Sequence, residues 1–159
     1  MQPRIESVSE KKLVGQSVEM SLINNKTFKL FSSFMPNRKQ VQNSLGNAIY
    51  EVMLYDAEYF KNFAPNNMFT KWATIEVKNV ENIPEGMQSI SLKSGLYAVF
   101  TYKGLAKDFS NLMQYVFTEW LPKSEYTLDN RPHFNILGNK YIQDSPESEE
   151  DVYIPIQRK

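Results

Sequence analysis

The strongest constraint in this chain is a run of apolar residues in its second half. Phe109, Leu112, Met113, Val116, Phe117, Trp120 and Leu121 recur at the spacing of one face of an α-helix. Asp108 stands where an N-cap belongs and Pro122 where a helix should stop. A helix of that kind must bury one side against something. The neighbouring segments read as strands: 89–93 and 96–102 before it, with Gly95 as a bend or bulge between them, and 133–138 and 152–156 after it. Pro155 predicts that the last of these lies near an edge or bulge. Residues 143–151, QDSPESEED, read as an acidic loop.

The first half has the same order. Residues 4–9 and 13–22 read as strands. Thr27 is placed to cap a helix carrying Phe28, Phe31, Phe34 and Met35, which Pro36 should break. Residues 48–55 and 68–78 read as strands around a loop at 56–67. In the latter strand Phe69, Ala73, Ile75 and Val77 share one face, interrupted by Lys71, while Met68, Trp72 and Glu76 share the other. Each half therefore reads strand–helix–strand–strand. The fold class is α+β: two such modules, about 1–80 and 88–159 of a single domain, in pseudo-twofold arrangement. An antiparallel sheet carries a central ligand groove at their junction. Phe109, Leu112, Val116 and Phe117 are predicted to be buried against that sheet.

Composition narrows the function. Eighteen basic residues balance eighteen acidic ones, so there is no basic excess for direct nucleic-acid binding. The absence of cysteine excludes thiol nucleophiles and cysteine-bound metals, and His133 is the only histidine, so neither a metal nor a cofactor is expected. No apolar run reaches the roughly 20 residues of a membrane span, and the N-terminus has no apolar signal core, so the expectation is a cytoplasmic protein without membrane partners. Aromatic residues reach 13% of the chain. Most should be core, but rings at a module junction also suit flat or cationic ligands. Tyr55, Trp72, Phe100, Trp120 and Tyr153 are the predicted ring contributors. Glu76, in a strand beside Trp72, is the candidate carboxylate: a counter-charge for a ligand, or an acid or base if desolvated.

Several segments together resemble the GyrI-like small-molecule-binding family, the effector-binding domain of bacterial AraC- and MerR-type transcription activators. They include LVGQSVEMSL at 13–22, LFSSFMPNR at 30–38, YEVMLYD at 50–56, FTKWATIEV at 69–77, GLYAVFTYKG at 95–104, EWLPKSEYTLDNRPHFNILG at 119–138 and SEEDVYIPI at 148–156. The resemblance implies a duplicated strand–helix–strand–strand (SHS2) fold and a groove for hydrophobic or amphipathic, often cationic, compounds. It implies a stand-alone module, with no helix-turn-helix portion. It also implies a glutamate two residues after the histidine of the RPHF strand. Here Asn135 stands at that place, so His133 and Asn135 join the candidate site and Glu76 is left as the acid. The expected ligand is therefore neutral or weakly polar rather than a permanent cation. Two further readings follow from the resemblance: a hydrolase of cyclopropane-type reactive compounds, with Glu76 carrying the chemistry, and an inhibitor acting on a protein partner such as DNA gyrase.

Overall fold

The computed structural model describes all 159 residues. Nine strands are formed: β1 (Arg4–Val8), β2 (Lys11–Met20), β3 (Ile49–Leu54), β4 (Phe69–Val77), β5 (Gln88–Leu92), β6 (Gly95–Lys103), β7 (Tyr126–Leu128), β8 (His133–Leu137) and β9 (Glu149–Arg158). Two helices accompany them: α1 (Thr27–Phe34), which runs into a 3₁₀ turn at Met35–Gln40, and α2 (Phe109–Tyr115). The strands lie in the order β1-β6-β9-β8-β3-β4-β2-β5, all antiparallel, with β7 paired to the end of β9.

That order reads the same from both ends, with a pseudo-twofold axis between β3 and β8. The register locates the axis. Glu51 faces Asn135 across the seam, and a rotation about that pair carries β2 onto β6 and β5 onto β1 with matching ends. The outer strands are exchanged, however. β1 pairs with β6 of the second half, and β5 with β2 of the first.

The exchange forces curvature. β1 and β2 are six steps apart in the sheet, roughly 29 Å if it were flat. Yet only Ser9 and Glu10 connect them, a reach of about 11 Å at most. The Lys93–Ser94 link between β5 and β6 imposes the same condition at the other edge. The sheet therefore curls until its edges approach. Inside the curl Val8, Leu13, Tyr50, Val52, Trp72, Leu92, Tyr97, Val99, Phe134 and Tyr153 pack as one cluster without any helix. Both helices lie on the other face. α1 covers Val14, Ile49, Ala73 and Ile75, and α2 covers Ala98, Phe100, Val152 and Ile154.

Several sequence expectations change in detail. Thr27 opens α1 but makes no cap. Its backbone N–H bonds to Asn25 Oδ1 and its hydroxyl accepts from Lys71. Asp108 makes no side-chain cap bond either. The second helix does not stop before Pro122: it widens into a π-helical turn at Val116–Trp120 and closes with Leu121–Lys123. The widening sits where the proline ring and its missing N–H disrupt the ordinary helical ladder. On that helix Leu112 and Val116 are buried, Phe109 is half-buried against Tyr102, and Phe117 turns away from the sheet onto Phe60. β9 begins at Glu149, inside the expected acidic loop, and is an interior strand. Pro155 is tolerated because it falls where the neighbour changes from β8 to β7.

Candidate functional site

The predicted ring and acid residues divide between the two faces of the sheet. Trp72, Glu76 and Tyr153 point into the helix-free curl. There Tyr153 stacks on Phe134 with centroids 4.4 Å apart. Glu76 is already engaged: the Tyr50 hydroxyl donates to Oε1 at 3.2 Å and the Lys11 ammonium stands 3.4 Å from Oε2. Burial and the Glu76 charge together push the Tyr50 hydroxyl pKa upward. Phe100 lies on the opposite face, buried beneath the second helix and edge-on to Trp120. Those two rings belong to the core of the second half. Tyr55, His133 and Asn135 also face the helices, but at the seam between the halves, where the structure brings them together.

Alternation fixes what else reaches that seam. Glu51 is on β3 between the inward-curled Tyr50 and Val52, so it emerges on the helix side, directly opposite Asn135. The Asn135 amide donates to Glu51 Oε1 at 3.1 Å. Lys71, the interruption in the apolar face of β4, reaches Glu51 Oε2 at 3.1 Å. Its ammonium also donates to Thr27 Oγ1 on α1 at 2.9 Å. Both members of the pair are largely withdrawn from water, with side chains 13% and 12% exposed. The pseudo-twofold axis relates Lys71 on β4 to Glu150 on β9, one residue past the ladder pair Ile136–Asp151. The floor is thus a quartet: Glu51 and Asn135 on the axis, Lys71 and Glu150 flanking it. The carboxylate absent at 135 stands at its symmetry-related position instead.

Burial raises the Glu150 carboxyl to about 7, Glu51 adds to the rise, and Lys71 partly offsets it. The Tyr141 hydroxyl is raised by burial first, then by Glu150 and Glu51. At the other end, rings form a cover. Tyr55 packs against Tyr59, Phe60, Phe69 and His133. Phe60 stacks on Phe117 at 4.7 Å and lies 5.5 Å from His133. The loop after β3 and the π-helical turn of the other half therefore close over the seam together. Burial, reinforced by Arg131, holds His133 down at about 3, so it is a neutral ring. Two polar atoms here, His133 Nδ1 and Asn135 Oδ1, are buried without a partner.

Sequence reading missed Glu51, Phe60, Phe117 as a cover ring, and Glu150. The available signal was a charged residue inside an apolar strand: Glu51 in IYEVML, and Lys71 in FTKWATIEV.

A model of GyrI-like small-molecule-binding domains matches residues 1–157. The chain belongs to the GyrI-like family. Solved GyrI-like folds superpose over nearly its whole length. SAV2435 bound to tetraphenylphosphonium aligns with a TM-score of 0.68 at 16% identity, covering 99% of this chain and 94% of that one. The EcmrR C-terminal domain aligns with a TM-score of 0.70 at 16% identity, covering 99% and 98%. A protein from Listeria innocua described as a hydrolase aligns with a TM-score of 0.60 at 11% identity, covering 98% and 92%. In sequence, the transcriptional regulator BrlR of Pseudomonas aeruginosa is 30% identical over 93 residues, 58% of this chain and 34% of that protein. The match thus spans about a third of that regulator's length. No helix in this GyrI-like chain is long and apolar enough to cross a membrane.

Proposed function

We propose that this GyrI-like domain binds hydrophobic or amphipathic small molecules at the seam between α1 and the second helix. The ligand sits over Glu51 and Asn135 and beneath Tyr55, Phe60 and Phe117, in a sensing or sequestering role. The observation that carries the reading is the pair of unpartnered polar atoms, Asn135 Oδ1 and His133 Nδ1, buried under rings that come from different halves. Buried polar atoms are ordinarily paired. A ligand offering a donor to Asn135 and a flat apolar body to the rings would satisfy both conditions. Tetraphenylphosphonium bound to SAV2435 supplies the apolar rings of such a ligand, without the donor, on a similar fold.

Thermal melting with tetraphenylphosphonium and with neutral triphenylphosphine oxide tests the reading. Binding to the native state raises Tm by mass action. The rise should shrink in Phe60→Ala, which removes a covering ring. No rise with either compound at millimolar concentration would overturn the proposal.

A second reading, hydrolysis of a reactive small molecule, draws on one observation: a Glu150 carboxyl held near neutrality beside Glu51. Two carboxyl groups in unlike environments are suited to acid–base work. On that reading Glu51 and Glu150 carry the chemistry, because Glu76 is on the other face and paired with Lys11. Turnover of a strained electrophile that survives in Glu76→Gln and is lost in Glu51→Gln would support it. Loss in Glu76→Gln alone would refute it.

A further inference from the structure

We propose that Lys71 sets the charge preference of the seam site: its ammonium occupies the position on Glu51 that a cationic ligand would take. The domain therefore favours neutral or weakly polar compounds and admits a permanent cation only by displacing the lysine. This rests on the binding reading above.

Glu51 is the only carboxylate on the seam axis, and both its oxygens are engaged, Oε1 by the Asn135 amide and Oε2 by Lys71. The lysine is not a loose surface cation. It is nearly buried, and it is held at a second point by Thr27 Oγ1 on the first turn of α1. A cation entering this space gives up its hydration and needs a counter-charge there. It meets a carboxylate whose charge is already balanced.

The other groups facing the floor do not replace that counter-charge at pH 6. Glu150, on the symmetry-related flank, is raised to about 7 by burial and by Glu51, so it is mostly protonated there. Tyr55 and Tyr141 are neutral phenols with raised pKa values, and His133 is a neutral imidazole. Breaking the resident pair would also leave a charged group buried without its partner, an additional penalty for any competing cation.

The expectation that this chain prefers neutral ligands first arose from the loss of an acid at Asn135. The acid is in fact present at Glu51, and Lys71 is what removes its charge from play.

The test is calorimetric titration of tetraphenylphosphonium and triphenylphosphine oxide against four proteins at pH 6.0, each first checked for a cooperative melt. Relative to wild type, Lys71→Met should bind the phosphonium about tenfold more tightly or better, a gain of about 1.4 kcal/mol, with affinity for the neutral oxide changed less than about threefold. Lys71→Met/Glu51→Gln should lose that gain. Thr27→Val, which loosens the lysine but leaves the pair intact, should show a smaller gain in the same direction. It also serves should Lys71→Met fail to fold. A cation-to-neutral ratio unmoved in Lys71→Met and Thr27→Val, or a gain that persists in the double variant, overturns the proposal while the binding reading stands. If neither compound binds any of the four proteins, the binding reading falls and this proposal falls with it.

Discussion

The two faces of the sheet both carry clustered rings and use them differently. Inside the curl, Tyr50, Tyr97, Phe134 and Tyr153 pack on one another in a chain of stacked and edge-on contacts. Their polar fringe bonds Tyr50, Glu76 and Lys11 in series and the Tyr97 hydroxyl to Pro132 O, leaving Trp72 Nε1 as the unpartnered atom of that cluster. On the helix side the rings come from elements that are not neighbours in the sheet, and beneath them lie charges and unpartnered atoms. Aromatic density by itself therefore says little about binding. What lies beneath the rings, apolar strand residues or a buried charged quartet, distinguishes the two faces.

The largest expected effect tests the structural role of the curl. Phe134 is fully buried against Tyr50, Tyr97 and Tyr153. Phe134→Ala should cost about 3–5 kcal/mol in denaturant unfolding, as cavity-forming changes do. A loss under about 1 kcal/mol would mean that the curl is loosely packed.

The next contrast is in pH dependence, and the helix side supplies it. Glu150 rises from 4.5 to about 7 on folding, so the native state holds its proton longer than the unfolded chain. Stability then falls as pH rises through that window, by roughly 3 kcal/mol at most. Glu150→Gln should flatten the decline in melts between pH 4.5 and 7. His133 slopes the opposite way. Its pKa is depressed on folding, so its contribution is present above about pH 6.5 and is lost as pH falls towards 3. The two slopes oppose one another where the windows overlap. If Glu150→Gln leaves the profile of the wild type unchanged, the carboxyl is better solvated than its packing implies.

The smallest effect separates the faces by binding. Phe117→Ala should weaken an identified ligand by about 2 kcal/mol, as removal of a buried anchor does. Being half-buried, it should cost less stability than Phe134→Ala. Trp72→Ala should leave affinity within about 0.5 kcal/mol while lowering stability, because a contact absent from the site cannot contribute to it. Equal losses of affinity in the two variants would mean that both faces contact the ligand.

Much of this architecture was legible in the residues. Alternation in FTKWATIEV correctly separated Trp72 and Glu76 from Phe69, Ala73, Ile75 and Val77. The strand–helix–strand–strand order of each half is also present. Alternation could not say which face the helices would cover, because both faces of β3 and β4 are apolar enough to be buried. It placed Trp72 and Glu76 in the site by assuming that their face was the open one. Glu51 and Lys71 were visible as misplaced charges. Their meeting depends on β3 pairing with β4 on one side and β8 on the other, and such long-range register is not written in either strand. Glu150 was hidden differently, by an acidic stretch that looks like a solvated loop until β9 is seen to begin within it.

The exchange of outer strands has a consequence for how the chain comes to be folded at all. Arg4 pairs with Val99 and Val8 with Gly95, so β1 has no partner until β6, some ninety residues further on, has been made. β2 likewise waits for β5, although it can pair with β4 first. Contacts so distant along the chain close late, after the entropy of large loops has been lost, and they slow folding. The first half emerging from a ribosome should therefore be an incomplete sheet, with β1 unpaired and prone to find other strands. Docking of β1 onto β6 and of β8 onto β3 are both pairings of long sequence separation and belong to the late stages of folding. The first of these closes the curl and ties the beginning of the chain to its second half.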